Sequence, residues 1–295
     1  QALASNYPAA RAIFEEVDDA LGQNLSALIW EGDIETLTLT ANAQPALMAT
    51  SLAALRALEA EGVALDTAAY VAGHSLGEYS ALAAAGAISL ADTARLLRIR
   101  GTAMQEAVPV GVGAMAAILG LDFATVTKVA EAAAQGEVCQ AANDNDSGQV
   151  VVSGNRAAVD RALNLAKEAG AKRALLLPVS APFHCILMEP AADRMASALM
   201  EINISKPVLP LVANVRASAV SDPAVIRSLL VEQVTGAVRW RESVMYLASK
   251  GVTEVWEIGA GKALSGMIRR IDHAITCKTI GAPEDIAKAL EVLTE

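Results

Sequence analysis

The chain has 295 residues, 54% of them hydrophobic and only 3% aromatic, with a formal charge of −10 at pH 7. That length suits one large domain or two unequal ones around a sizeable core, and an acidic chain without basic–aromatic runs argues against nucleic-acid binding. The uncharged run from Ala107 to Leu121 is broken by Pro109, Gly111, Gly113 and Gly120, which makes it too short and too punctuated to span a membrane.

The N-terminal stretch lacks a basic segment leading into an apolar core, so no secretory signal is read there. Residues 8–21 place Ile13, Val17 and Leu21 on one helical face beside Phe14, with Gly22 as a stop. A second helix is expected to open at Pro45 and run to Gly62. A short strand at 68–72, a turn around Ser75, a helix to about Gly86 and a helix over 91–107 follow. Helices alternating with short apolar strands predict an α/β layer with a mainly parallel sheet.

The rhythm changes after Pro109. Strand 112–120, helix 122–135, strands in 137–143 and 148–154, helix 155–169 and strand 171–179 make a βαββαβ order. Residues 110–178 therefore read as a ferredoxin-like subdomain inserted into a large, α/β-hydrolase-like subdomain formed by 1–109 and 179–295. Beyond it come a helix over about 186–201, a strand within 207–215 and a helix capped by Asp222-Pro223. A helix at 240–249, a strand to Ile258, a helix to Ile271, a strand near 275–280 and a helix from Pro283 complete the chain. Three scattered cysteines, Cys139, Cys185 and Cys277, suggest neither a disulfide framework nor a metal site; they fit buried thiols in a reducing cytoplasm.

Chemistry concentrates in Gly73-His74-Ser75-Leu76-Gly77-Glu78. A Gly-x-Ser-x-Gly between strand and helix lifts a nucleophilic serine on a tight turn, with Gly73 and Gly77 allowing close approach. The Leu76 N–H, at the start of the helix, faces an oxyanion formed at Ser75. Three histidines are candidates for its base. His74 diverges from Ser75 and packs beneath the turn; His273, in a charged segment, faces solvent but suits the Ser…Asp…His order of hydrolases. His184 is preferred, since it follows a strand at the seam where the insertion rejoins the main unit, and clefts favour such seams. Arg100 reads by spacing as a surface arginine, although neighbouring Gly101 would let its guanidinium turn inward.

Four blocks, "GHSLGEYSALAAAGAISL", "RGTAM", "APFHCILMEPAA" and "EIGAGKALSGMI", occur in an order that resembles the malonyl-CoA:acyl carrier protein transacylase family over essentially the whole chain. The resemblance implies Ser75 as the acylated nucleophile, His184 as general base and Arg100 as anchor for the malonyl carboxylate, reversing the reading from spacing. It implies that the main-chain carbonyl of Gln233 orients the histidine, and that Phe183 keeps the acyl pocket small. The implied partners are malonyl-CoA and acyl carrier protein, for a monomer needing no cofactor or metal. Family members also carry a Gly-Gln-Gly loop with a second oxyanion donor; Gln1-Ala2-Leu3 matches the segment just after it, and no Gly-Gln-Gly occurs in these residues.

Both substrates are polyanions, so a basic rim is expected from Lys262, Arg269 and Arg270, with Arg239 or Arg241; scattered helix-surface charges are the alternative. Two other functions fit parts of the pattern. A serine hydrolase or thioesterase would need an acidic third member and could use His273. A non-catalytic carrier-protein docking module would have no use for Ser75, His184 and Arg100 together.

Overall fold

A computed structural model describes residues 1–293. Alanine sets the packing distances of the larger part. The helix Thr40–Ala60 buries Ala46, Ala49, Ala53, Ala54 and Ala57 between Met48, Leu52, Leu55 and Leu58. Small side chains let it lie close against the helices Pro8–Leu21 and Leu90–Glu106, and all three share one apolar core. Helix ends follow the sequence signals: Ser89 and Asp222 accept hydrogen bonds from their first-turn N–H groups, and Gly22 closes its helix with φ 58°.

The helix expected to begin at Pro45 begins at Thr40, and Pro45 lies inside it. The extra turn is held from outside: a Cβ on Gly101 would meet the Thr40 carbonyl oxygen at 2.4 Å and Ala41 Cα at 2.6 Å. This glycine contact seats the first turn of one helix on the other and places Gln44 opposite Arg100. Short helices at Ala2–Asn6, Leu25–Glu31 and Ile34–Thr38 and a strand at Ser218–Val220 carry too little periodicity to have been read.

The strands of the large part are short and form two separate sheets. Val71–Ala72 pairs in parallel with Leu211–Ala213, which pairs antiparallel with Ser218–Val220; Glu254–Ile258 and Thr276–Ile280 form a parallel pair. Between them in sequence lies a four-stranded antiparallel sheet, ordered Cys139–Asp146, Gln149–Asn155, Gly113–Leu119, Arg173–Leu176. The helices Phe123–Ala134 and Arg156–Glu168 cover it around Ile118, Val126, Val150, Val152 and Val159.

The polar end of the strand Cys139–Asp146 ties this unit to the rest. Asn143 bridges Val238, Asp144 pairs with Arg241 at 3.0 Å, Asn145 meets His74 at 2.9 Å and Asp146 pairs with Arg270 at 2.7 Å. None of the helices among the described residues is long and apolar enough to cross a membrane. Gly101→Ala is expected to lower stability by about 1–3 kcal/mol through overpacking, measured by urea unfolding.

Candidate functional site

The parallel pair Val71–Ala72 and Leu211–Ala213 delivers Ser75 and Asn214 from adjacent carboxyl ends, where open α/β sheets place their sites. Ser75 stands at φ 54°, a left-handed conformation costing about 1–3 kcal/mol for a side-chain-bearing residue. Asn214 holds it there: its Oδ1 accepts from the Ser75 N–H at 2.7 Å and its Nδ2 donates to the Gly73 carbonyl at 2.7 Å. Gly73 is obligatory, since a Cβ would lie 2.0 Å from the Gly77 carbonyl oxygen, whereas a Cβ on Gly77 would meet nothing within 4 Å. The expectation that both glycines serve close approach is thus corrected for Gly77. The Leu76 N–H, heading the helix Gly77–Ala84, makes no main-chain hydrogen bond among the described residues.

His184 is buried, at φ 58°, and its Nε2 lies 2.8 Å from Ser75 Oγ. Its Nδ1 donates to the Gln233 main-chain carbonyl at 2.9 Å. A carbonyl only accepts, so Nδ1 carries the proton and Nε2 presents its lone pair to the serine hydroxyl. Burial, followed by the positive field of Arg100, holds the imidazole down at about 3. At neutral pH the ring is therefore uncharged.

Arg100 is 1% exposed, so the surface position suggested by its spacing is corrected. The cause is tertiary: Gly101 brings the helices together and leaves the guanidinium directed into the interior. Nη1 donates to Gln44 Oε1 at 2.7 Å; Nη2 donates to Gln233 Oε1 at 2.8 Å and to Ser75 Oγ at 3.0 Å. The guanidinium carbon lies 5.6 Å from the centre of the Tyr79 ring. No carboxylate forms an ion pair with it among the described residues.

Four participants went unread in the sequence: Gln44, Glu78, Tyr79 and Asn214. Glu78 is 1% exposed; its Oε2 accepts from Gln233 Nε2 at 2.7 Å and from the Asn214 N–H at 3.2 Å. Burial raises its carboxyl to about 7, against the opposing pull of those donors and of Arg100. The one signal for Asn214 was a polar residue ending an apolar strand; Glu78 resembled an ordinary acidic first-turn residue.

Ser75, Leu76, Arg100 and His184 line a cleft of about 340 Å³, walled by Gln44, Met104 and Phe183 and by Leu39 and Val179. His74 points away, its Nε2 on Asn145 Oδ1 and its ring 5.8 Å from that of Trp240; His273 is exposed. Lys262, Arg269, Arg270, Arg239 and Arg241 are not among the cleft's lining residues. Arg239 pairs with Glu242, Arg241 with Asp144 and Arg270 with Asp146, while Arg269 reaches the Cys277 carbonyl at 3.4 Å.

The acyl transferase domain family matches residues 1–272. The malonyl CoA-acyl carrier protein transacylase of Escherichia coli (strain K12) is 46% identical over 290 residues, 98% of this chain and 93% of that protein. The solved acyl-carrier-protein-S-malonyltransferase of Bartonella henselae superposes with a TM-score of 0.96 at 55% identity, covering 99% of this chain and 94% of that one. A malonyl-transacylase solved in complex with a type II PKS acyl-carrier protein gives 0.95 at 42% identity, over 99% and 94%. The chain belongs to the acyl transferase family, in its malonyl CoA-acyl carrier protein transacylase branch.

Proposed function

We propose that this protein transfers a malonyl group from malonyl-CoA to the phosphopantetheine thiol of an acyl carrier protein, through an ester on Ser75. The observation that carries this reading is one hydroxyl with two neighbours. Ser75 Oγ lies 2.8 Å from the lone pair of a neutral histidine and 3.0 Å from a buried guanidinium in the same cleft. A histidine–serine pair alone serves any acyl transfer; the arginine selects acyl groups ending in carboxylate, which it binds bidentately.

His184 Nε2 takes the Ser75 proton as Oγ attacks the thioester carbonyl, and the Leu76 N–H donates to the oxyanion. The C–S bond breaks, and the proton passes from His184 to the departing coenzyme A sulfur. In the second half the carrier thiol gives its proton to His184 and attacks the ester, and Ser75 Oγ recovers that proton as it leaves. The positive field of Arg100 helps hold His184 below its ordinary range. A substrate carboxylate on Arg100 cancels part of that field and so strengthens the base when the correct acyl group is seated.

The Gln233 carbonyl stands where hydrolases of this type carry an acidic side chain, making Ser75 and His184 a dyad. Phe183, in the wall, limits the acyl chain. Strand order and helix placement support a ferredoxin-like unit at 110–178 within a large catalytic subdomain of 1–109 and 179–295, with the cleft at their seam. The exposed Lys262, Arg269 and Arg270 are proposed to meet the phosphates of coenzyme A and the acidic carrier, with Arg239 or Arg241 beside them. The reaction as written uses no cofactor or metal, and its setting is cytoplasmic.

Rapid digestion and mass spectrometry after mixing with malonyl-CoA is expected to show a malonyl adduct on the Ser75 peptide; an unmodified serine refutes the reading. Arg100→Ala is expected to reduce kcat/KM for malonyl-CoA by about 100-fold or more while acetyl-CoA is affected far less. Labelling of Ser75 by a fluorophosphonate, which carries no carboxylate, tests the base separately. His184 loses its lone pair only as the pH falls towards about 3, so the labelling rate should hold from pH 7 to about 5. Half-loss of that rate near the ordinary imidazole value would contradict the assignment.

A further inference from the structure

A side-chain amide has one donor end and one acceptor end, and only its surroundings decide which way it faces. Around Gln233 the surroundings are one-sided. Its Nε2 donates to Glu78 Oε2 at 2.7 Å and to the Ser75 carbonyl at 3.0 Å. Its Oε1 faces the donor-only guanidinium of Arg100 at 2.8 Å. Rotated by half a turn, the amide would set its oxygen against a carboxylate and a carbonyl, and its hydrogens against a cation. Both contacts would be repulsive, in a site where Gln233 and Arg100 are almost wholly withdrawn from solvent.

We infer that Glu78 is a positioning residue for acyl selection: it fixes the Gln233 amide and thereby holds the Arg100 guanidinium where a substrate carboxylate meets it. This rests on the malonyl-transfer reading. Three observations support it. Glu78 itself is fixed, because the Asn214 N–H also donates to its Oε2 and the residue is 1% exposed. Glu78 makes no ion pair with Arg100 among the described residues, so one neutral amide separates the carboxyl group from the guanidinium. A carboxylate directly on the guanidinium would compete with the substrate; relayed through an amide, the Oε2 acceptor of Glu78 orients Arg100 without occupying the site. Third, the same residue that receives Glu78 through its side chain receives His184 Nδ1 through its main chain. The two links are separable, because any residue at 233 retains a carbonyl.

Glu78→Gln is nearly isosteric and can itself donate to Gln233, which removes the bias on the amide. Glu78→Asp keeps an acceptor-only group with a shorter reach. Both variants are to be compared with the unaltered protein in transfer of malonyl and of acetyl from their coenzyme A thioesters, with thermal melting as the check of folding. Glu78→Gln is expected to raise the KM for malonyl-CoA about tenfold or more and to lower the malonyl-to-acetyl ratio of kcat/KM by a similar factor, with Glu78→Asp recovering part of that ratio. An unchanged ratio, or an equal fall for both substrates in a folded variant, would overturn the inference, since a merely structural residue affects both alike.

If Glu78→Gln does not fold, Gln233→Met carries the same test. It leaves the main-chain carbonyl for His184 and removes the acceptor for Arg100, so the malonyl-to-acetyl ratio must fall; a ratio unchanged there overturns the inference as well. The unaltered protein separates the two hypotheses. Absence of malonyl transfer by it defeats the functional reading, whereas transfer combined with unaltered selectivity in the variants defeats only the role of Glu78.

Discussion

A guanidinium withdrawn from water inside an apolar, alanine-rich interior is the constraint around which this site is arranged. Moving such an ion out of solvent costs several kcal/mol unless its hydrogens find acceptors. Here those on Nη1 and Nη2 find Gln44 Oε1, Gln233 Oε1 and Ser75 Oγ, none of them formally charged, while Nε is buried without a hydrogen-bond partner among the described residues. Neutral acceptors meet the two terminal nitrogens without cancelling the charge. An uncompensated positive field persists beside Ser75, an arrangement suited to an anionic ligand and costly in its absence.

The other unusual features lie within the reach of that cation. Tyr79 presents its ring to the guanidinium, the Glu78 carboxyl group lies one amide away, and His184 is kept uncharged by burial and by the same field. Two residues with side chains, Ser75 and His184, adopt left-handed backbone conformations within hydrogen-bonding distance of each other. Such strain survives where surrounding bonds overdetermine it. At Ser75 the Asn214 side chain does so, accepting from the Ser75 N–H and donating to the Gly73 carbonyl, and Asn214 is itself placed by the parallel pairing of two very short strands.

Legibility in the sequence varied with the range of the interaction involved. Ser75 was readable because a tight turn between strand and helix is a local event with local signals. The proximity of His184 to Ser75 was expected from its place in the sequence just after a strand. Spacing alone put Arg100 on the surface, and only the family resemblance turned it inward, because the direction of its side chain depends on Gly101 seating against Thr40, sixty-one positions away. Glu78 and Asn214 left almost no trace. Their partners are spread along the chain, and a buried carboxylate at the start of a helix looks the same in sequence as a solvated one.

The sequence by itself determined the longer helices and most of the strands, the caps at Gly22 and Asp222, and the tight turn that carries Ser75, since each depends on residues a few positions apart. Tertiary structure alone decided the start of the helix at Thr40, the division of the large part's strands into two sheets, and the burial of Arg100. It alone also decided the orientation of the Gln233 amide. Those outcomes depend on groups up to 158 positions apart, as with Gln233 Nε2 and the Ser75 carbonyl. Their physical reason is shared: buried donors and acceptors must be satisfied, and only the folded chain shows which of them meet.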